Sequence, residues 1–150
     1  MIRLELPWLP PSSNMAYVNL PNGHGRRMSD EGKKFLLNTK LHLVRCYRRE
    51  MLMFKPNRPY AMVLRFHFEE IETKGFTQGK AKNRYKVFDG GNRTKLLEDA
   101  LKDAGGIDDS QTMWSLWQKV PATPERTVLW VWSLEEEGTP FDGILRDRLQ

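Results

Sequence analysis

The chain has one cysteine, Cys46, in 150 residues. An internal disulfide is therefore impossible, and the disulfide-stapled class of small secreted domains is excluded. No apolar run approaches the ~20 residues of a membrane-spanning helix. His24, His42 and His67 are scattered and lack the spacing of a metal site. There is no internal repeat and no low-complexity tract. Gly75-Phe76-Thr77-Gln78-Gly79-Lys80 is not a phosphate loop: its glycines stand one residue too close, and Ala81 follows where Ser or Thr is required. The first residues do not follow the basic-then-apolar layout of a secretion signal, so a cytoplasmic location with no membrane partner is expected.

What is present is a globular composition. Hydrophobic residues make up 39% of the chain, with five Trp and seven Phe, too rich for a disordered segment. The length suits a single domain, since domains most often run roughly 100–150 residues. The formal net charge of +5 leans toward a polyanionic partner, and its distribution says more. Between Lys74 and Lys95 lie Lys80, Lys82, Arg84, Lys86 and Arg93, with Asp89 the only acid after Glu72. Arg26, Arg27, Lys33, Lys34, Lys40, Arg45, Arg48 and Arg49 form a second basic cluster, whereas Glu135, Glu136, Glu137 and Asp142 make an acidic, peripheral tail over 135–150.

Apolar periodicity divides the chain into elements. Ile2 to Leu6 and Tyr60 to Glu69 alternate as half-buried strands; Thr112 to Val120 and Thr127 to Leu134 read as two more, with a turn at Pro121 and Pro124. Arg84 to Phe88 is expected as a short strand. Pro10 to Asn14 reads as an extended or turning segment and Asn19 to Arg27 as a loop. Ser29 caps a helix that carries Phe35, Thr39 and Leu43 and runs to about Met51, and Asn92 to Ala104 forms the clearest helix, closed by Gly105-Gly106. The expected fold class is α/β (α+β): one domain, a mixed β-sheet packed against two main helices. Cys46 is expected as inert core. Trp130 and Trp132 share a strand face, where an exposed pair would mark an interface.

The informative segment is Asp89-Gly90-Gly91-Asn92-Arg93-Thr94-Lys95-Leu96-Leu97-Glu98-Asp99-Ala100-Leu101, followed by Asp108-Asp109-Ser110-Gln111. At about 100° per residue, Leu96, Leu97, Ala100, Leu101 and Ala104 span one helix face and Lys95, Glu98, Asp99 and Lys102 the other. Taken alone, the polar face reads as ordinary solvated i,i+3 and i,i+4 pairs. That reading leaves unexplained why Asp89, Asp108 and Asp109 flank the helix inside a basic region. Carboxylates held together repel one another unless a cation joins them, and Mg²⁺ takes such ligands while keeping open positions for phosphate oxygens.

Here the chain resembles the RusA-type Holliday-junction resolvases, phage and prophage endodeoxyribonucleases. The family pattern is approximately Asp-x-Asp-Asn-x-x-Lys, then Asp-Ala-Leu, a Gly, and Asp-Asp-x-Gln. Asp89, Asn92, Lys95, Asp99-Ala100-Leu101, Gly105 or Gly106 and Asp108-Asp109-Ser110-Gln111 fall on it in order. Pro10-Pro11-Ser12-Ser13-Asn14 resembles the family's Pro-Pro-Ser-x-Asn, and Ser29-Asp30-Glu31-Gly32 its Ser-x-Glu-Gly. The resemblance implies a RusA-like nuclease domain and a homodimer resolving four-way DNA junctions in recombination and repair, inside a bacterial or phage-infected cell. It implies Mg²⁺, with Mn²⁺ as a substitute, and no small-molecule cofactor. By position it makes Asp89, Lys95, Asp99 and Asp109 catalytic and Asp89, Asp99, Asp108 and Asp109 metal-ligating. Arg26, Arg27, Phe76, Lys80, Lys82, Arg84, Lys86 and Asn92 would touch DNA; Phe76 reads either as the anchor of its loop or as a wedge between bases. The chain departs from the pattern at Gly91, where the family has its second aspartate; Asp99 or, behind it, Glu98 would complete the set. The alternative implied by Gly91 is a junction-binding protein that has lost cleavage.

Overall fold

Ile2, Leu4 and Leu6 alternate with Arg3 and Glu5, and this pattern folds as strand β1 (Ile2–Leu6) with the three aliphatic residues buried. The computed structural model describes residues 1–88 and 90–135, apart from the side chains of Ser13 and Asn22. Asp89 and the acidic tail from 136 onward lie outside the described residues. After β1 come α1 (Ser13–Ala16), β2 (Tyr17–Asn19), β3 (Arg26–Met28), α2 (Asp30–Cys46), α3 (Arg48–Met51), β4 (Tyr60–Phe68), α4 (Gly90–Asp103), β5 (Thr112–Pro121) and β6 (Arg126–Ser133). The architecture is mixed α and β in one small domain, as the pattern predicts.

The main sheet has the order β1-β6-β4-β5. β6 runs antiparallel to both β1 and β4, whereas β4 and β5 are parallel. A parallel pair needs a crossover rather than a hairpin, and that crossover contains α4. Leu4, Leu6, Met62, Leu64, Phe66, Leu129 and Val131 form one fully buried sheet face. α2 and α4 pack side by side on it, inserting Phe35, Leu43, Leu96, Leu97 and Leu101. α2 lies toward β1 and α4 toward β5. The other sheet face carries Arg65, which lies over the Trp130 ring at 5.2 Å, together with the half-buried His67 and Trp132.

Five local expectations are corrected, the last being that of Cys46 in the core. The helix opened by Ser29 ends at Cys46 instead of running unbroken to Met51, because Tyr47 leaves helical geometry (φ −131°, ψ 30°) while its hydroxyl accepts the Glu5 N–H at 3.1 Å. The segment 19–27 is a β2–β3 hairpin turned through Gly23 and Gly25, both at positive φ. Ser13–Ala16 forms a helical turn, with Ser12 accepting the N–H groups of Met15 and Ala16. Arg84 to Phe88 is not a strand. Tyr85 makes one bridge to Glu72, and Phe88 turns inward against Phe66 and Phe68 with ring centroids 4.9 and 5.3 Å apart. Cys46 is exposed at the last residue of α2, its Sγ 3.8 Å from His42 Nδ1.

Two glycines fix how the helices seat. Gly32 lets the first turn of α2 lie against the Ala16 carbonyl, where a Cβ would come within 2.6 Å. Gly90 lets α4 begin against Trp117, whose indole occupies the space a side chain would need. Gly90→Ala is therefore expected to destabilise the fold by ~1–3 kcal/mol through overpacking. Urea unfolding checks this, and Trp117→Leu in the same chain should recover part of the loss.

Candidate functional site

α4 opens at Gly90, with the preceding Phe88 clamped by aromatic neighbours. The Phe88 ring stands 5.2 Å from that of Trp117, and the Arg93 guanidinium lies over Phe88 at 5.0 Å and Phe68 at 6.0 Å. Arg93 also donates to the Pro10 carbonyl. It thus ties the Pro10-Pro11 segment to α4, a structural use that a count of basic residues does not reveal.

Along the solvent side of α4, Gly91, Lys95, Glu98 and Lys102 follow one seam at i, i+4, i+7 and i+11, with Asp99 one step around the helix. Asp109 enters from the 3₁₀ turn Asp109–Gln111 that follows the helix. The Lys95 ammonium donates to Asp109 and stands 3.4 Å from Asp99 Oδ1. Both partners hold it above the usual lysine range, Asp109 chiefly. Three of the expected site residues, Lys95, Asp99 and Asp109, are thereby brought together.

Glu98 belongs with them and was only the secondary candidate from sequence. It is half-buried, and burial pushes its carboxyl above the ordinary glutamate range. Lys95 and the Thr112 hydroxyl oppose that shift; Asp109 and Asp99 add to it. The signal in the sequence was the shared seam with Gly91 and Lys95.

Asp108 does different work. It caps the 3₁₀ turn by accepting the Ser110 N–H at 3.0 Å, while Gln111 Oε1 accepts the Asp108 N–H at 3.0 Å. Gln111 Nε2 also donates to the Lys55 and Arg58 carbonyls at 3.0 and 3.1 Å, pinning the turn to that loop. Lys102 Nζ pairs with Asp108 at 2.5 Å, and this ion pair holds the Asp108 carboxyl well below its usual range. The Asp-Asp-x-Gln spacing is thus a capping box that presents Asp109 toward Lys95.

The expected DNA contacts are dispersed around this cluster. Arg84 is paired with Glu72 at 2.8 Å, and Lys86 and Lys74 face Glu70 at 3.5 and 3.7 Å. Lys80 and Lys82 are exposed and make no ion pair among the described residues. Phe76 is half-buried in the same loop, Asn92 is exposed in the first turn of α4, and Arg26 and Arg27 are exposed on β3. Arg26 lies 5.8 Å over the Tyr17 ring.

Among the described residues, no group of three or more His, Cys, Asp or Glu side chains is arranged to hold a metal ion; Asp89 is not among them. The donor chemistry of Glu98, Asp99 and Asp109, carboxylate oxygens without sulfur or imidazole, suits a hard divalent cation such as Mg²⁺. No helix of the described residues is long and apolar enough to cross a membrane. No protein-family model matches the chain, and no curated protein matches its sequence.

The two shifted carboxyls act on stability with opposite sign. Asp108 is depressed, so its contribution is present above the ordinary carboxylate range and is lost as acid protonates it. Glu98 is elevated, so its ionisation costs stability, and that cost vanishes below the same range. Asp108→Ala should lower the melting temperature at pH 7, and Glu98→Gln should raise it. Both differences should shrink as the pH falls below ~4, which thermal melts across pH 3–8 would show.

Proposed function

We propose that this chain is a RusA-type, divalent-metal-dependent endodeoxyribonuclease that resolves four-way DNA junctions as a homodimer. The observation that carries the reading is the meeting of Lys95 and Asp99 from α4 with Asp109 from the turn beyond it. Those residues belong to separate parts of the motif, and a merely solvated helix face would not gather them. Asp109, Asp99 and Asp89 would hold Mg²⁺ or Mn²⁺, which supplies Lewis acidity at the scissile phosphate. Asp108 shapes the turn that presents Asp109.

Lys95 is the group that meets the substrate's charge. Its ammonium neutralises Asp109 and Asp99 in the free protein and would turn to a phosphate oxygen as negative charge builds in the transition state. Lys80 and Lys82 are free to hold the phosphate backbone, whereas Arg84 and Lys86 must first leave Glu72 and Glu70. Arg26, Arg27 and Asn92 are exposed and would add further contacts, and Phe76 stands in the loop between Lys74 and Lys80. A two-fold dimer suits a two-fold junction, because identical sites then face paired strands.

A second reading, junction binding without cleavage, rests on Gly91. Gly91 lies one turn ahead of Lys95 on the same seam, where the family's aspartate would add a further carboxylate.

Nicking of a synthetic four-way junction in Mg²⁺ or Mn²⁺ tests the proposal. Paired cuts that Asp99→Asn reduces by about a hundredfold, with junction binding retained, are expected. Tight binding with no cutting at any metal concentration would sink the enzyme reading and leave the second. Gly91→Asp should accelerate cutting by about tenfold or more if the natural site is incomplete. Binding should also weaken steeply between low and moderate salt.

A further inference from the structure

The solvent side of α2 is not what a solvent side should be. Leu37, Leu41 and Val44 stand there at i, i+4 and i+7 and are 56%, 48% and 43% exposed. A helix packed on a core by its Phe35, Thr39 and Leu43 face should be polar opposite it. Lys33 and Lys40 border this aliphatic row on one side, and Lys34 and Arg45 on the other.

The row adjoins a groove. Two cavities of about 440 and 370 Å³ lie between α2 and the segment that follows β1, and Trp8 and Asn38 line both, so they run end to end. Together they follow α2 from Glu31 to Cys46, roughly 22 Å at 1.5 Å per residue. Trp8, Leu9, Phe35 and Leu41 give the groove its apolar surface, Lys34 and Arg45 its basic rim, and Glu31 an acidic group at one end. α2 packs beside α4 but toward β1, and none of the residues that line the groove belongs to the cluster around Lys95.

We propose that this groove docks an amphipathic α-helix of a partner protein, one that presents aliphatic side chains at i, i+4 and i+7 flanked by Asp and Glu. Charge complementarity selects that occupant. A second copy of α2 would bring Lys33, Lys34, Lys40 and Arg45 against the same four cations, with only Asp30 and Glu31 of its first turn to offset them. A nucleic acid leaves the aliphatic row uncovered. A lipid surface is too flat to fill a groove. A helix laid along α2 covers the row with its own aliphatic residues and meets Lys34, Lys40 and Arg45 with its carboxylates, the helix-in-groove mode of recognition. Lys33 is itself paired with Asp30 at 3.1 Å.

The probe is a labelled 18-residue synthetic helix with Leu at those spacings and Glu on its flanks, titrated into the full chain by fluorescence anisotropy. A Lys-flanked version, anionic phospholipid vesicles and a four-way DNA junction are run beside it. Micromolar binding of the Glu-flanked helix alone is expected, weakened by about tenfold or more in Leu41→Glu and in the Lys34→Glu, Arg45→Glu double variant. Both substitutions fall at surface positions, and matching melting curves will show that the fold is kept. Cys46 lines one end of the groove and is the sole cysteine. A chloroacetyl group at one end of the helix should therefore alkylate it in the natural chain and not in Leu41→Glu, while reaction with free iodoacetamide is the same in both.

Equal binding of the Glu- and Lys-flanked helices would overturn the proposal, as would indifference to Leu41→Glu. So would loss of vesicle or junction binding in these variants with no effect on the helix. Junction cleavage does not enter this test, so the nuclease reading and the docking surface stand or fall separately.

Discussion

Gly90 against the Trp117 indole is the contact on which the arrangement of the candidate site depends. It sets where α4 begins relative to β5, and α4 is the crossover that makes β4 and β5 parallel. Phe88 is held by Trp117 from one side and by Arg93 from another, so the junction into α4 is fixed on both flanks. Once the helix starts at that point, its pitch determines that Lys95 faces the turn after the helix. The capping box of Asp108 and Gln111 then needs only to hold that turn still for Asp109 to reach the ammonium. A rigid start and a rigid finish bracket the pair, which is how a site gains positional accuracy from a small domain.

Much of this was legible in the residues, and the parts that were not share a cause. Alternation in Ile2–Leu6 and over Met62–His67 reports burial directly, because a strand's two faces differ by one residue step. The same holds for Leu96, Leu97, Ala100 and Leu101 on α4. Tyr47 broke the α2 reading because its hydroxyl is committed to the main chain of β1, a partner forty-two residues away that no local pattern encodes. Arg93 read as one more cation until Phe68, Phe88 and Pro10 were seen around it. Asp108 and Asp109 are neighbours of one residue type, and only the turn geometry separates the one that caps from the one that faces Lys95. Glu98 was visible by phase, but its half-burial is a product of packing that no local pattern encodes.

The charge of the molecule is organised more finely than its total suggests. Glu70 and Glu72 each engage cations of the basic loop, so part of the positive excess is neutralised within the loop itself. Lys80 and Lys82 keep theirs. Meanwhile the cations of α2 border an aliphatic row, and of them Lys33 pairs with Asp30. The two basic surfaces therefore differ in kind, one polar and close to carboxylates, the other aliphatic and grooved. A single net charge describes neither.

Among the described residues, β1 has β6 as its sole neighbour in the sheet: Ile2 pairs with Val131 and Leu6 with Thr127. Closing that ladder joins distant parts of the chain, which is slow because loop-closure entropy must be overcome before the pairing is rewarded. Every other strand of the sheet can pair with less of the chain in hand. β1 is thus the last strand of the sheet to gain its partner during folding, and as an edge it shares with β5 the lower protection of a strand paired on one side. Tyr47 and His42 bind the main chain of Glu5, and Trp8 just beyond β1 donates to Thr39, so the end of α2 and the groove beside it are coupled to that edge. Amide protons of β1 should exchange ahead of those in β4, which is flanked on both sides.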